Sequence, residues 1–266
     1  MSDGAFLLAA GLYALAGALL AARLIRGGDS PWLAWGARLL GLAGLVHFGH
    51  DLLDWIAHHR GPLSGVRESI STLGVLAVAG YFAVRRSRQR FDVVGAFVAP
   101  LALLMLLASH NPGGAPTQVA GALLAVHIGA VILGTGAFTV AFALALAYLL
   151  QERQVKRKRL GGVFQRLPPL DSLDEAGFRC VAAGLPVLTL GVVTGLLVGA
   201  RGDARVGLLA SWQQVLGIGV WALFAALLAL RLGAGWRGRR AALGTLVGYG
   251  SALVVLLGYY LRGAAS

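Results

Sequence analysis

Charge and cysteine are both scarce in this sequence. Only 13% of its 266 residues are charged, whereas soluble domains carry about 25%. Hydrophobic residues make up 58% of the chain, and the mean hydropathy is +0.76. This number of polar groups is too small to cover the surface of a soluble protein. Lipid must therefore surround most of the chain. The single cysteine, Cys180, excludes an internal disulfide bond and any Cys-x-x-Cys redox pair.

Familiar catalytic motifs are missing as well. The sequence contains no P-loop, no GxSxG, no HExxH and no cysteine-based metal motif, so we expect a protein that is not an enzyme. A net charge of +12 could suggest nucleic acid as a partner. However, the charges stand in short runs between apolar segments, where they indicate membrane topology. We therefore expect no nucleic-acid partner.

Eight segments are long and apolar enough to cross a bilayer, which takes about 20 mostly apolar residues in a helix. They are residues 5–25, 33–55, 66–84, 92–109, 118–150, 176–199, 211–231 and 241–261. The pattern predicts an all-α, polytopic membrane helix bundle that forms a single membrane domain over residues 1–266. The first segment lacks a basic leader and a convincing cleavage site, so we expect a retained helix rather than a signal peptide.

Arginine is concentrated in alternate loops, and this predicts the orientation of the helices. The rich loops follow spans 1, 3, 5 and 7, and the longest is the basic loop 151–175, in which Pro168 and Pro169 interrupt any helix. Loop 110–117 contains no arginine or lysine, and loop 200–210 contains two arginines. By the positive-inside rule the rich loops are cytoplasmic. With eight spans, both termini are then outside.

The second span contains the densest cluster of ionisable residues, HFGHDLLDW. Such side chains are costly inside a bilayer and are candidates for function. Asp51 follows His47 by four residues and shares its helix face, where a carboxylate can orient an imidazole ring and raise its basicity. His50 and Asp54 have the same spacing. His50, Asp51 and Asp54 can equally be solvated at the membrane surface, whereas His47 lies deeper.

A lone histidine, His127, lies in the fifth span. Counted from the outer ends of their spans at 1.5 Å per residue, His127 is about 13 Å deep and His47 about 12 Å deep. Two imidazoles at one depth suit the axial positions of a haem iron. A lone intramembrane histidine can equally bond a neighbouring carbonyl or hydroxyl group. Four outer-side arginines could pair with haem propionates or lipid headgroups: Arg60, Arg67, Arg201 and Arg205.

Residues 167–200 read LPPLDSLDEAGFRCVAAGLPVLTLGVVTGLLVGA. This segment resembles the one that precedes the tryptophan-rich signature in the cytochrome c assembly family of CcsA- and HemX-like integral membrane proteins. His127, with the long helix ending AYLLQER, resembles the family's outer-side histidine. Further similarities lie in residues 61–82, 221–231 and 235–250. The resemblance extends over about residues 35–262.

The resemblance implies a multi-pass protein of the bacterial inner membrane that binds haem, or delivers it, for cytochrome c assembly on the outer side. On this basis His127 and His47 are the expected ligands of the haem iron. Asp51 would orient His47, and Trp212 would pack against the porphyrin. The expected partners are membrane lipid, a second membrane subunit of the assembly system, and cytochrome c as acceptor.

The sequence departs from the family at two positions. Gln213 follows Trp212 where the family's tryptophan-rich motif has an aspartate, and Ala229 stands where a histidine often ends the next helix. A second hypothesis is therefore a structural or regulatory subunit that keeps the fold without haem. A third, a small-molecule transporter, is disfavoured because the spans contain few ionisable groups that could line a path.

Overall fold

The protein is all-helical in a computed structural model, which describes residues 2–26, 35–86, 91–110, 121–159, 161–201 and 212–265. The helices are α1 (Ser2–Arg26), α2 (Trp35–His58), α3 (Val66–Arg86), α4 (Gly95–Ser109), α5 (Ala122–Lys156), α6 (Val163–Arg166), α7 (Leu170–Arg201), α8 (Trp212–Ala234) and α9 (Arg239–Ala265). A 3-10 helix, Phe91–Val94, leads into α4. These ranges contain no β-strand, so the predicted all-α class is confirmed.

Within these ranges, six helices are long and apolar enough to cross a membrane. They are α1, α4 with its 3-10 helix, α5, α7, α8 and α9. The chain is therefore a multi-pass membrane protein, as predicted. The helices α2 and α3 coincide with two further predicted spans but are more polar, because α2 contains two aspartates and three histidines and α3 a glutamate and three arginines. The count of eight spans and the outside position of both termini stay predictions.

Helix α5 contributes to two apolar cores. The first core joins α5 to α1–α4 and buries Tyr13 and Phe91 completely. The second joins it to α7, α8 and α9, where Phe138 stacks on Phe224 with ring centroids 3.8 Å apart. Small residues are frequent along α5 and α7, which pack closely over much of their length. The long helix α5 thus connects the first four helices to the last three.

Arginine-rich helix ends meet at one end of the bundle. Arg23 in the last turn of α1 and Arg85 in that of α3 both pair with Asp92, just before α4. Arg166 of α6 donates hydrogen bonds to three carbonyl groups at the C-terminus of α1, which a helix end leaves without internal partners. The basic loop 151–175 is thereby attached to α1. This is the end that the positive-inside rule assigns to the cytoplasm.

Asp174, in the LDSLDE stretch of the family resemblance, connects α7 to the turn between α8 and α9. Its Oδ1 accepts hydrogen bonds from Arg231 Nη1 at 2.9 Å and from the Gly238 backbone N–H at 2.8 Å. The side chains of Asp174 and Arg231 are only 13% and 8% exposed, so salt screens this ion pair little. Close by, Arg239 lies 3.5 Å from Glu152 and connects α9 to α5.

Candidate functional site

His47 is completely buried among α1, α2 and α3. Its Nδ1 lies 3.1 Å from the hydroxyl oxygen of Tyr13, and its Nε2 lies 2.8 Å from that of Ser71. The Ser71 hydroxyl in turn donates to Asp51 Oδ1 at 2.7 Å. We call Tyr13, His47, Asp51 and Ser71 the His47 network. It joins three helices by side-chain hydrogen bonds.

The directions of these hydrogen bonds follow from the carboxylate at one end. The Asp51 carboxylate accepts, so Ser71 donates its one proton there and accepts the Nε2–H of His47. Nδ1 of His47 then carries no proton and accepts the Tyr13 hydroxyl. Both ring nitrogens are engaged, so neither is open to iron in this arrangement. Iron ligation by His47 stays a prediction and would require one of these hydrogen bonds to break.

Asp51 reaches His47 through Ser71 rather than directly. Asp51 Oδ1 lies 3.8 Å from His47 Nε2, which is too long for a hydrogen bond. The spacing of four residues correctly places both side chains on one helix face, but the connecting serine comes from α3. Tyr13 was also missed by sequence reasoning. Tyr13 and Ser71 could have been found in the sequence as polar side chains on otherwise apolar helix faces.

The outer part of α2 carries further polar contacts. Asp54 Oδ1 lies 2.8 Å from Nδ1 of the exposed His58, one turn later. The ring of His50 lies 6.1 Å from that of Phe6, and Phe6 stacks on His110 at 3.7 Å. These contacts join the outer parts of α1, α2 and α4. The solvation of this part of α2 at the membrane surface stays a prediction.

His127 is half-buried on α5 and contacts α7. Its Nδ1 lies 2.7 Å from the backbone oxygen of Gly191. A carbonyl oxygen only accepts, so Nδ1 carries a proton, and in the neutral form of the ring the lone pair is on Nε2. Nε2 makes no hydrogen bond to any residue that the structure describes. Metal-bound histidines have this arrangement, in which one nitrogen donates to a carbonyl and the other binds the metal.

Trp212, the third predicted site residue beside the two histidines, begins α8 and is 49% exposed. Its indole ring lies so close to Gly258 of α9 that an added Cβ there would be 2.0 Å from a ring carbon. Among the described contacts, no hydrogen bond or ring stacking joins Trp212 to His127 or to His47. Of the predicted site residues, the structure joins Asp51 to His47 through Ser71. His127 instead contacts α7, and Trp212 contacts Gly258 of α9.

The predicted outer-side arginines are described only in part. Arg67 Nε donates to the backbone oxygen of Ser109 at 2.9 Å, so its guanidinium is bound at the end of α4. Arg205 and most of the stretch that corresponds to the tryptophan-rich motif lie outside the described residues. Within the described ranges, no group of three or more His, Cys, Asp or Glu side chains could hold a metal ion.

The family model of the cytochrome c assembly proteins matches residues 63–264 of the chain. The chain belongs to this family. The predicted family is thereby confirmed. The matched segment contains His127 and Trp212, whereas His47 and Asp51 lie before its start.

Curated relatives support the same family over most of the chain. The cytochrome c biogenesis protein CcsA of Parasynechococcus marenigrum (strain WH8102) is 27% identical over 256 residues, which cover 85% of this chain and 83% of the relative. CcsA of Synechococcus elongatus is 27% identical over 290 residues, 92% of this chain and 81% of the relative. Protein HemX of Brevibacillus brevis is 34% identical over a shorter stretch of 77 residues, 29% of this chain and 28% of the relative.

Proposed function

We propose that this protein is a haem-handling factor for cytochrome c assembly. It binds haem, or delivers it, on the outer side of a bacterial inner membrane, and it acts by binding rather than by catalysis. Family membership and the relatives named for cytochrome c biogenesis support the process. The chemistry of His127 supports haem as the cargo.

The arrangement of His127 is the observation that carries this proposal. Its Nδ1–H is engaged by the Gly191 carbonyl group, which leaves the Nε2 lone pair for a ligand. A neutral imidazole with an open nitrogen is a common axial ligand of haem iron. His127 is also half-buried rather than enclosed, so a planar cargo can approach it. Trp212, half-exposed at the start of α8, would add an aromatic surface for the porphyrin.

His47 has a different role in this proposal. Because both of its nitrogens are engaged, it acts as a partner that joins α1, α2 and α3, with Asp51 completing its hydrogen-bond network. The chain then supplies one axial ligand, His127. Binding through one histidine suits a protein that must release its haem. Cytochrome c is the acceptor in this proposal, and a second membrane subunit of the assembly system is the expected partner.

An absorbance spectrum of the detergent-purified protein, oxidised and reduced, tests the proposal. We expect a Soret band in the wild type after haem is supplied, and a weaker or shifted band in His127→Ala. The matched control is His58→Ala, which removes an exposed histidine near the end of α2 and should leave the band unchanged. A wild-type protein that takes up no haem, or an unchanged band in His127→Ala, would contradict the proposal.

A haem-free structural or regulatory subunit is the second candidate. Two observations favour it: Gln213 stands where the family's motif has an aspartate, and His47 is already fully engaged. This candidate predicts a well-folded wild type with no Soret band. Co-purification of the tagged protein from its native membrane would then identify the subunit that it supports.

A further inference from the structure

The LTLGVVTG stretch of α7, residues 188–195, contacts both of its neighbours. The hydroxyl oxygen of Thr189 accepts the indole N–H of Trp221 on α8 at 2.9 Å. The backbone oxygen of Gly191 accepts Nδ1–H of His127 on α5 at 2.7 Å. A stretch that resembles the family in sequence is therefore also the stretch that holds the candidate ligand.

Gly195 provides the space for the His127 ring. A Cβ atom at this position would lie 2.6 Å from Cε1 and 2.7 Å from Nδ1 of His127, but 3.5 Å from Nε2. Any side chain larger than hydrogen would force the ring away. The ring therefore places its Cε1–Nδ1 edge against α7, and Nε2 is the nitrogen farther from Gly195.

Thr194 leaves the Gly191 carbonyl group available to the ring. Its buried hydroxyl lies 2.7 Å from the backbone oxygen of Leu190 and 3.0 Å from that of Gly191. A threonine hydroxyl that bonds back to its own helix needs no partner from α5. Its one proton goes to the nearer Leu190 oxygen, so the lone pair of Gly191 that the α7 backbone does not use is available to His127.

We propose that Gly191, Thr194 and Gly195 form a seat on α7 that positions His127 and holds it in one tautomer, with Nδ1 protonated and Nε2 open to a ligand. Gly195 is the positioning residue of this seat. The link to haem rests on the proposed function above. The position and tautomer of the ring are properties of the haem-free protein, so they can be measured independently.

The first measurement is nitrogen NMR of the haem-free, detergent-solubilised protein with ¹⁵N-labelled histidine. Protonated and unprotonated ring nitrogens give separate signals, and His127→Gln and His47→Gln assign two of the six histidines. We expect His127 as the Nδ1–H tautomer and His47 as the opposite, Nε2–H tautomer. An Nε2–H tautomer at His127, or a mixture of the two, would overturn the seat without the use of any further variant.

The decisive variant is Gly195→Ala, with two matched controls on α7. Gly199→Ala adds the same methyl group one turn later, where its nearest neighbour is at an ordinary 3.6 Å. Gly184→Ala disturbs the packing of α5 on α7, since its Cβ would lie 2.7 Å from a ring carbon of Phe138. We expect loss of the Nδ1–H signal of His127 in Gly195→Ala only. An unchanged tautomer in Gly195→Ala would overturn the role of this glycine.

Haem titration separates this inference from the proposed function. Loss of a group that orients a metal ligand typically lowers affinity about 10–100-fold, and we expect a loss of this size in Gly195→Ala. If His127 has the expected tautomer but His127→Ala binds haem normally, the seat stands and the proposed ligand is wrong. If His127→Ala loses haem while Gly195→Ala keeps both tautomer and affinity, the ligand stands and the seat is wrong.

Discussion

His47 and His127 both lie inside long helices, at nearly the same expected depth, yet their surroundings differ. His47 is fully buried and makes two side-chain hydrogen bonds, to α1 and to α3. His127 is half-buried and, among the residues that the structure describes, makes one, to the backbone of α7. The hydrogen-bond partners give the two rings opposite tautomers. Residue type and depth are therefore not enough to predict a metal ligand, because the ring also needs a nitrogen that the protein does not engage.

The different surroundings of His47 and His127 predict different effects of their removal on stability and on haem binding. Removal of a fully buried, doubly bonded ring leaves a cavity and two hydroxyl groups without their partner, whereas removal of a half-exposed ring with one bond does neither to the same extent. Removal of His47 should therefore cost more unfolding free energy than removal of His127, whereas removal of His127 should cost more haem affinity. The following substitutions test that ranking on the single scale of unfolding free energy.

The largest effect is expected for His47→Leu. It leaves the hydroxyl groups of Tyr13 and Ser71 without their nitrogen partners, so we expect a loss of about 2–4 kcal/mol of unfolding free energy. Denaturant unfolding in detergent measures it, with Leu45→Ala, a 70% exposed residue on the same helix, as control. The protein that remains folded should keep its haem. Haem loss in proportion to His127→Ala would instead make His47 a ligand.

The next largest effect is expected for Ser71→Ala. The substitution removes the group that connects Asp51 to His47, so both lose a partner in a buried setting, and we expect about 1–3 kcal/mol. Ser251→Ala is the control, since the hydroxyl of this serine bonds to the backbone of its own helix. Equal unfolding midpoints for the two variants would show that the His47 network adds no stability.

A smaller effect on stability is expected for His127→Ala, below about 1 kcal/mol, because one hydrogen bond to a backbone oxygen is lost at a half-exposed site. The neighbouring Val126→Ala, at a 45% exposed position, is the control for loss of side-chain contact. Thermal unfolding of the haem-free protein measures the difference. Destabilisation as large as that of His47→Leu would make His127 a structural residue and remove the contrast.

The smallest effect is expected for Asp51→Asn. The amide oxygen can accept the Ser71 hydroxyl as the carboxylate does, so the network persists with a loss below about 0.5 kcal/mol. Asp51→Leu has no acceptor and should be clearly less stable in the same assay. If Asp51→Asn is as damaging as Asp51→Leu, the charge of Asp51 rather than its acceptor oxygen supports His47.

Composition and local spacing were enough to predict much of this protein. Eight apolar windows correspond to the eight long helices of the described ranges, and the arginine-rich ends of α1 and α3 meet as alternate loops require. Hydropathy and charge act on each segment separately, so they can be read without knowledge of the neighbours. The same holds for the family, whose ordered local motifs survive in the sequence.

Tertiary structure alone decided what each candidate residue can do. Tyr13 and Ser71 meet His47 from two other helices, and Gly191 meets His127 from a third. The sequence by itself determined a helical membrane protein of this family with two histidines inside its apolar segments. Only the rotation and packing of the helices decided which ring has a nitrogen without a hydrogen bond to the described residues. Hydrogen-bond partners far apart in the chain are set by contacts between helices and not by spacing along one of them.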